Sequence, residues 1–129
     1  MKKIVILLTT ILISVSAFAQ NTQWFQSTAF AYREAYSSTW SDWHPSNVKI
    51  CFDFINQTIT IYSPQVQIYK VIRQVPAPKD NSGYQEKYLV MAPNGFYYYV
   101  RLRIENSGYS QLYVDANDAS IVYNVKRIS

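Results

Sequence analysis

The sequence predicts an all-β antiparallel fold of about eight strands, a meander closing into a small barrel or a flattened sandwich, after removal of an N-terminal signal peptide. Three observations carry this. Beyond the first 19 residues, 20 of the remaining 110 are aromatic, a composition that suits pleated, half-buried surfaces. Turn signals recur about every 8–12 residues between short apolar-alternating runs. No sustained helical period, heptad or internal repeat interrupts them.

Residues 1–19 read as the signal peptide. Lys2 and Lys3 precede an apolar run from Ile4 to Val15, and Ala17-Phe18-Ala19 is a small-x-small cleavage site. The apolar run is shorter than the ~20 residues of a permanent span. No cysteine follows it to carry a lipid anchor. The expected product is a single exported all-β domain over residues 20–129, in the periplasm or outside the cell, without a membrane anchor. Removing Lys2 and Lys3 leaves 10 basic and 8 acidic residues. That balance, without a basic cluster, argues against nucleic-acid binding.

The segment Thr28 to Trp43 admits two readings: a first hairpin turning at Ser37-Ser38-Thr39, or one helical face formed by Trp24, Thr28, Tyr32 and Tyr36. Asn56-Gln57 then closes a hairpin that places Phe54 opposite Ile59 and Phe52 opposite Ile61. Its other face carries Lys49, Cys51, Asp53, Thr58, Thr60 and Tyr62. A strand from Val66 to Val75 follows, with either Ile68 and Ile72 or Tyr69 and Val71 facing inward. The Pro76–Gly83 stretch is the longest loop expected, and the likeliest to move.

The C-terminal half carries its own register check. Asn94-Gly95 reads as a two-residue type I′ turn, placing Met91 opposite Tyr98 and Leu89 opposite Val100. Asn106-Ser107-Gly108 reads as a three-residue loop that sets Leu102 opposite Leu112 and Val100 opposite Val114. Asn117-Asp118 sets Val114 opposite Ile121 and Leu112 opposite Tyr123. One apolar face results: Leu89, Met91, Tyr98, Val100, Leu102, Ile104, Leu112, Val114, Ile121, Tyr123 and Val125. A one-residue slip would reverse any strand of it. The expected core includes Phe52, Phe54, Ile59, Ile61, Val100, Leu102, Leu112 and Val114.

Signals for catalysis are thin. His44 is the only histidine, set between Trp43 and Pro45, and reads as a surface or capping residue beside two core tryptophans. No triad spacing surrounds it. Asp53, Glu86, Glu105 and Asp115 are carboxylates without a pairing motif, and Glu86 is expected to face Arg103 as a cross-strand ion pair. Cys51, the only cysteine, reads as a small half-buried apolar residue, or else as an intermolecular disulfide or reactive thiol. No catalytic residue, metal ligand or cofactor motif is assigned.

The second face of the meander is more informative. Its rows read Tyr88, Arg101, Tyr113, Val122; then Glu86, Arg103, Gln111, Asn124; then Val90, Tyr99, Asp115, Ser120. Tyr and Arg offer apolar area and polar tips together, which suits recognition. Tyr88, Tyr99, Arg101, Arg103, Gln111 and Tyr113 are therefore the candidate ligand-binding residues, with Arg101 at their centre. The same rows also describe an ordinary solvated sheet face held by cross-strand pairs. A pocket over these residues would favour a ligand; a flat face or open edge would favour assembly.

Trp40-Ser41-Asp42-Trp43, Val48-Lys49-Ile50 and Ile59-Thr60-Ile61-Tyr62-Ser63 with Gln67-Ile68-Tyr69 resemble uncharacterised small secreted β-meander proteins of Gram-negative bacteria, calycin- or lipocalin-like in their strand order. The resemblance spans about residues 28–72. It implies a secreted all-β domain and transfers no functional residue. The expected function is that of an exported non-catalytic binding module for a small molecule, glycan or protein partner. The alternative is a structural protein assembling through strand edges or an aromatic patch.

Overall fold

The computed structural model describes residues 21–77, 81, 83–107 and 109–129. The expected signal peptide and cleavage site, Pro78–Asp80 and Ser82 of the expected loop, and Gly108 lie outside the described residues. The described residues form nine strands: β1 (Thr22–Glu34), β2 (His44–Pro45), β3 (Lys49–Asp53), β4 (Thr58–Ile61), β5 (Gln67–Val75), β6 (Gly83–Met91), β7 (Tyr97–Glu105), β8 (Ser110–Asp115) and β9 (Ala119–Arg127). From β3 to β9 each strand pairs antiparallel with the next. β1 pairs with both β3 and β9, so eight strands close into a barrel. β2 is an extra strand on the outer part of β1, pairing Phe30 with His44.

β1 makes closure possible. Its first half pairs with β3, from Thr22 opposite Asp53 to Gln26 opposite Lys49. A bulge between Ser27 and Ala29 re-aims it, and its second half runs along β9 to Glu34. Ser27 is buried at the crossing. Its hydroxyl lies 2.7 Å from that of Ser46 and accepts the Val48 N–H at 2.9 Å, which satisfies the chain as it leaves β2 for β3. After Glu34 the chain turns at Ala35–Ser37 and returns, with Ser41 N–H donating to the Tyr32 carbonyl. The segment is a hairpin and not a helix, but it turns at Ala35–Ser37 rather than at the expected Ser37-Ser38-Thr39. Neither Trp40 nor Trp43 reaches the core: Trp40 is half-buried and Trp43 is exposed, as is His44, which stacks beside Tyr32. All three lie on β2 and the return segment, outside the closed wall.

The interior is filled by alternate residues of every strand. Ile50, Phe52, Ile59, Ile61, Val90, Val100, Leu102 and Leu112 are almost fully excluded from solvent. β7, β8 and β9 pair in the expected register, with Val100 opposite Val114, Leu102 opposite Leu112 and Leu112 opposite Tyr123. On β5, Tyr69 and Val71 face inward, and Ile68 and Ile72 face solvent.

Two expected registers are corrected. At the β6–β7 turn the loop is three residues, not two. Gly95 N–H bonds to the Ala92 carbonyl, Ala92 N–H bonds to the Phe96 carbonyl, and only Gly95 has positive φ, at 88°. Pro93 fixes the second position of a type I turn, and Gly95 follows it in the left-handed conformation. The extra residue pairs Tyr88 with Val100 and Val90 with Tyr98, reversing all of β6. Leu89 and Met91 therefore lie on the outer wall and Tyr88 and Val90 inside. Glu86 sits opposite Leu102 rather than Arg103.

The β3–β4 hairpin is shifted by two residues, with Phe52 opposite Ile59. Asp53 sets this longer loop: its carboxylate accepts the N–H groups of Ile55 and Asn56 and the Asn56 side-chain amide. Those bonds, the Asn56 backbone N–H first, hold the Asp53 carboxyl below its ordinary pKa. An even shift preserves the face, so Phe52 stays buried. Phe54 moves into the loop and is 41% exposed, not a core residue. Gln57 closes the loop at φ 56°. That conformation costs a non-glycine residue roughly 1–2 kcal/mol. Gln57→Gly should therefore raise stability by about 0.5–1 kcal/mol after its own unfolded-chain entropy, read from the denaturant midpoint. A fall in the midpoint would show that the Gln57 side chain supports the loop.

Candidate functional site

The outer wall of β7 and β8 carries Tyr99, Arg101, Arg103, Gln111 and Tyr113 together, as the expected rows require. Tyr88 is not among them; the β6 reversal puts it inside the barrel and brings Lys87 beside Arg101. The polar atoms of this wall engage one another. Arg101 donates from Nε to Asp115 Oδ2 at 2.6 Å and from Nη2 to Oδ1 at 3.2 Å, and Ser120 donates to the same Oδ1 at 2.9 Å. The guanidinium lies 4.0 Å from the Tyr113 ring centroid. Tyr113 donates to Gln111, which donates to Asn124. Arg103 lies 3.7 Å from Glu105, and the Lys87 ammonium 4.5 Å from the Tyr99 ring.

Part of this face is occupied by the chain itself. Trp40 meets Tyr113 edge to face at 6.2 Å, and the Arg33 guanidinium lies over the Trp40 ring at 4.7 Å. An alternation Arg33–Trp40–Tyr113–Arg101–Asp115 thus fastens the return segment after β1 to the outer wall. Burial raises the Tyr113 phenol above its ordinary pKa, against the opposing effect of Arg101. None of the five principal cavities among the described residues is lined by Tyr99, Arg101 or Tyr113.

The concave surface is at one end of the barrel. The end bearing the β6–β7 turn is plugged by phenols. Tyr69 donates to Gln67 at 2.5 Å and packs 6.1 Å from Tyr98, whose hydroxyl accepts from Asn94. Tyr123 and Phe30 pack beside them. Burial, then the neighbouring Tyr123 and Tyr98, push the Tyr69 phenol up to about 12.

At the other end the interior alternation turns polar: Gln23, Tyr84, Glu86, Ser110 and Arg127 replace the aliphatic residues. With Phe25, Leu102 and Ile104 they line a cavity of about 410 Å³. A second cavity of about 200 Å³ lies beneath the β3–β4 loop, walled by Phe52, Phe54, Ile59, Val71 and Tyr88. Tyr88 lines the smaller cavity and Glu86 the larger one, and the Tyr88 hydroxyl donates to Glu86 Oε1 at 2.7 Å. Burial first and this bond second raise the Tyr88 phenol well above its ordinary value. The mouth pairs an apolar wall with a few convergent polar groups, the usual makeup of a small-ligand site.

Among the described residues no three of His, Cys, Asp or Glu gather as metal ligands. Sequence reasoning missed the mouth because the β6 reversal hid it. With Pro93 read as a turn residue, Tyr84, Glu86 and Tyr88 fall inward. The coincidence of inward Gln23, Glu86 and Arg127 at one end would then have marked it. Comparison of the chain with protein-family models, curated proteins and solved structures finds no match.

Proposed function

We propose that the protein is an exported, non-catalytic binding module that takes a small amphiphilic molecule at the open mouth of its barrel. The observation that carries this is the 410 Å³ cavity joining Phe25, Leu102 and Ile104 to Gln23, Glu86 and Arg127. Its volume lies within the ~300–1,000 Å³ range of small-ligand pockets. An apolar body would lie along the aliphatic wall, with a polar head among the side chains at the rim. The twin cavity beyond Tyr88 offers room for the apolar end.

Two features support binding rather than catalysis. Glu86 is the one carboxylate in the described lining of the larger cavity, and Asp53, which lines the smaller one, is engaged by the Ile55 and Asn56 N–H groups of its own loop, so neither cavity offers the paired carboxylates of glycoside hydrolysis. His44 pairs with Phe30 on the outer part of β1, away from the mouth. Export rests on the N-terminal charge, apolar run and cleavage pattern. Assembly through strand edges has less support, because closure leaves β2, two residues ending in Pro45, as the sheet edge.

A fluorescent amphiphile, anilinonaphthalene sulfonate, tests the reading. It should bind the native protein, and Ile104→Trp, which fills the cavity from its half-buried wall position, should weaken that binding by about tenfold or more. Arg101→Ala, on the outer wall, should leave it unchanged. Equal binding to the native and Ile104→Trp proteins, with both folded by circular dichroism, would move the site away from the mouth.

A further inference from the structure

A second surface, on the outer wall, is not explained by the fold or by the mouth. Trp24 of β1 and Tyr62, just after β4, stack at 5.8 Å with their planes 18° apart. Both lie outside the barrel: Trp24 is directly opposite Cys51, which is buried beneath this aromatic cover. Tyr62 remains 47% exposed. The two rings share a shallow groove of about 570 Å³ with Gln26, Asn47 and Lys49.

The polar side of this groove is built. Gln26 Nε2 donates to Asn47 Oδ1 at 2.7 Å and lies 3.3 Å from the Ser27 and Val48 carbonyls, so both amides are held in place. The Asn47 amide N–H groups and the Gln26 Oε1 keep free capacity among the described residues. Lys49 has no carboxylate partner among the described residues, and the groove has no Asp or Glu in its described lining. An aromatic platform, fixed amides and one unopposed cation meet in one concavity.

We propose that this groove binds an acidic sugar, a uronic-acid unit of an oligosaccharide. The apolar C–H face of a pyranose would lie on the Tyr62–Trp24 platform, in which Tyr62 is the exposed ring and Trp24 is half-buried. Hydroxyls would meet the Asn47 and Gln26 amides, and the carboxylate would pair with Lys49. A neutral sugar would use the platform and amides but leave Lys49 unused. The charge of the groove therefore selects the acidic class. An exposed single ion pair supplies preference more than affinity, so binding should be weak, with Kd on the order of 0.1–1 mM.

The experiment titrates the mature protein with a hyaluronan tetrasaccharide, an oligogalacturonate tetramer and chitotetraose at physiological salt, following the three tryptophan indole N–H resonances by NMR. The Trp24 resonance should shift with at least one acidic oligosaccharide, which should bind about tenfold tighter than chitotetraose. Tyr62→Ala should weaken this binding by about tenfold or more, and Lys49→Gln should abolish the preference over the neutral sugar. Both side chains are exposed, so both variants should unfold within a few degrees of the native protein. Ile104→Trp should leave sugar binding intact, which separates this site from the mouth. The proposal is overturned if neither acidic sugar shifts Trp24, if chitotetraose binds equally well, or if Tyr62→Ala still binds. It is also overturned if Tyr62→Ala abolishes self-association of a protein that binds no sugar, which would make the groove a contact between copies.

Discussion

Leu112→Ala is expected to lower stability by ~3–5 kcal/mol, the upper part of the range for a buried leucine. Leu102→Ala, chemically the same change on the neighbouring strand, should cost only ~2–3 kcal/mol. Both side chains are 1% exposed and face each other across β7 and β8. The difference lies in what surrounds the void. Leu112 is enclosed by core neighbours, so truncation leaves an empty apolar cavity. Leu102 forms part of the mouth wall, so its truncation enlarges a space lined by polar groups, which a water can fill in the variant. Arg101→Ala, adjacent in sequence but on the outer wall, removes the bidentate bond to Asp115 at a side chain 26% exposed. Its cost should be about 1 kcal/mol. Denaturant unfolding of the three variants gives the ranking. Leu102→Ala costing as much as Leu112→Ala would mean that no water enters the enlarged space. Arg101→Ala costing as much as either would mean that the two faces of β7 are assigned the wrong way round.

That ranking depends on registers that were legible to different degrees. β7, β8 and β9 were readable because the expected loop lengths at Asn106–Gly108 and Asn117-Asp118 hold, and each aligns apolar residues on both sides. β6 was misread because Asn94-Gly95 is a strong two-residue signal, and its consequence, an inward Leu89 and Met91, looked more apolar than the true inward set of Tyr84, Glu86, Tyr88 and Val90. Pro93 was the contrary evidence: its fixed φ suits the second position of a type I turn, which lengthens the loop. β5 was ambiguous because apolar residues occur on both of its faces, and a bulge between Val71 and Arg73 breaks the alternation.

The sites followed from the registers. Five of the six expected surface residues share one wall, since their spacing depended only on β7 and β8. That Trp40 packs on Tyr113 was not readable, because it joins segments more than seventy residues apart with no pattern connecting them. The mouth needed the correct face of β6. The Trp24–Tyr62 groove needed the pairing of β1 with β3, which joins segments separated by the β2 region and which no turn signal specifies.

Above pH 10 the protein should lose stability steeply, because its phenols are distributed between a wet wall and a dry interior. Burial is the leading reason that Tyr69, Tyr88, Tyr113 and Tyr123 hold their protons more tightly than an ordinary tyrosine, and Tyr69 reaches about 12. A folded pKa above the unfolded one stabilises the native state fully below the unfolded value near 10. That stabilisation is lost as pH rises from there through the folded value. Each such phenol contributes a slope of up to ~1.4 kcal/mol per pH unit, so Tyr69 alone accounts for roughly 2–3 kcal/mol between pH 10 and 12. Tyr88 adds to it at the opposite end of the barrel. Against the ~5–15 kcal/mol that holds a domain together, the Tyr69 contribution is already a large share. Absorbance of phenolate near 295 nm should therefore rise in two stages. The later stage belongs to the buried phenols Tyr69, Tyr88, Tyr113 and Tyr123, which should ionise together as near-ultraviolet dichroism collapses. Tyr69→Phe and Tyr88→Phe should each move the second stage to higher pH, since neither ring then carries a proton to lose. Phenolate absorbance rising in a single reversible stage, with dichroism unchanged, would show that water reaches both ends of the barrel. A shift from Tyr69→Phe without one from Tyr88→Phe would show that only the Tyr69 end is dry. The Tyr88–Glu86 pair would then be solvated within the mouth.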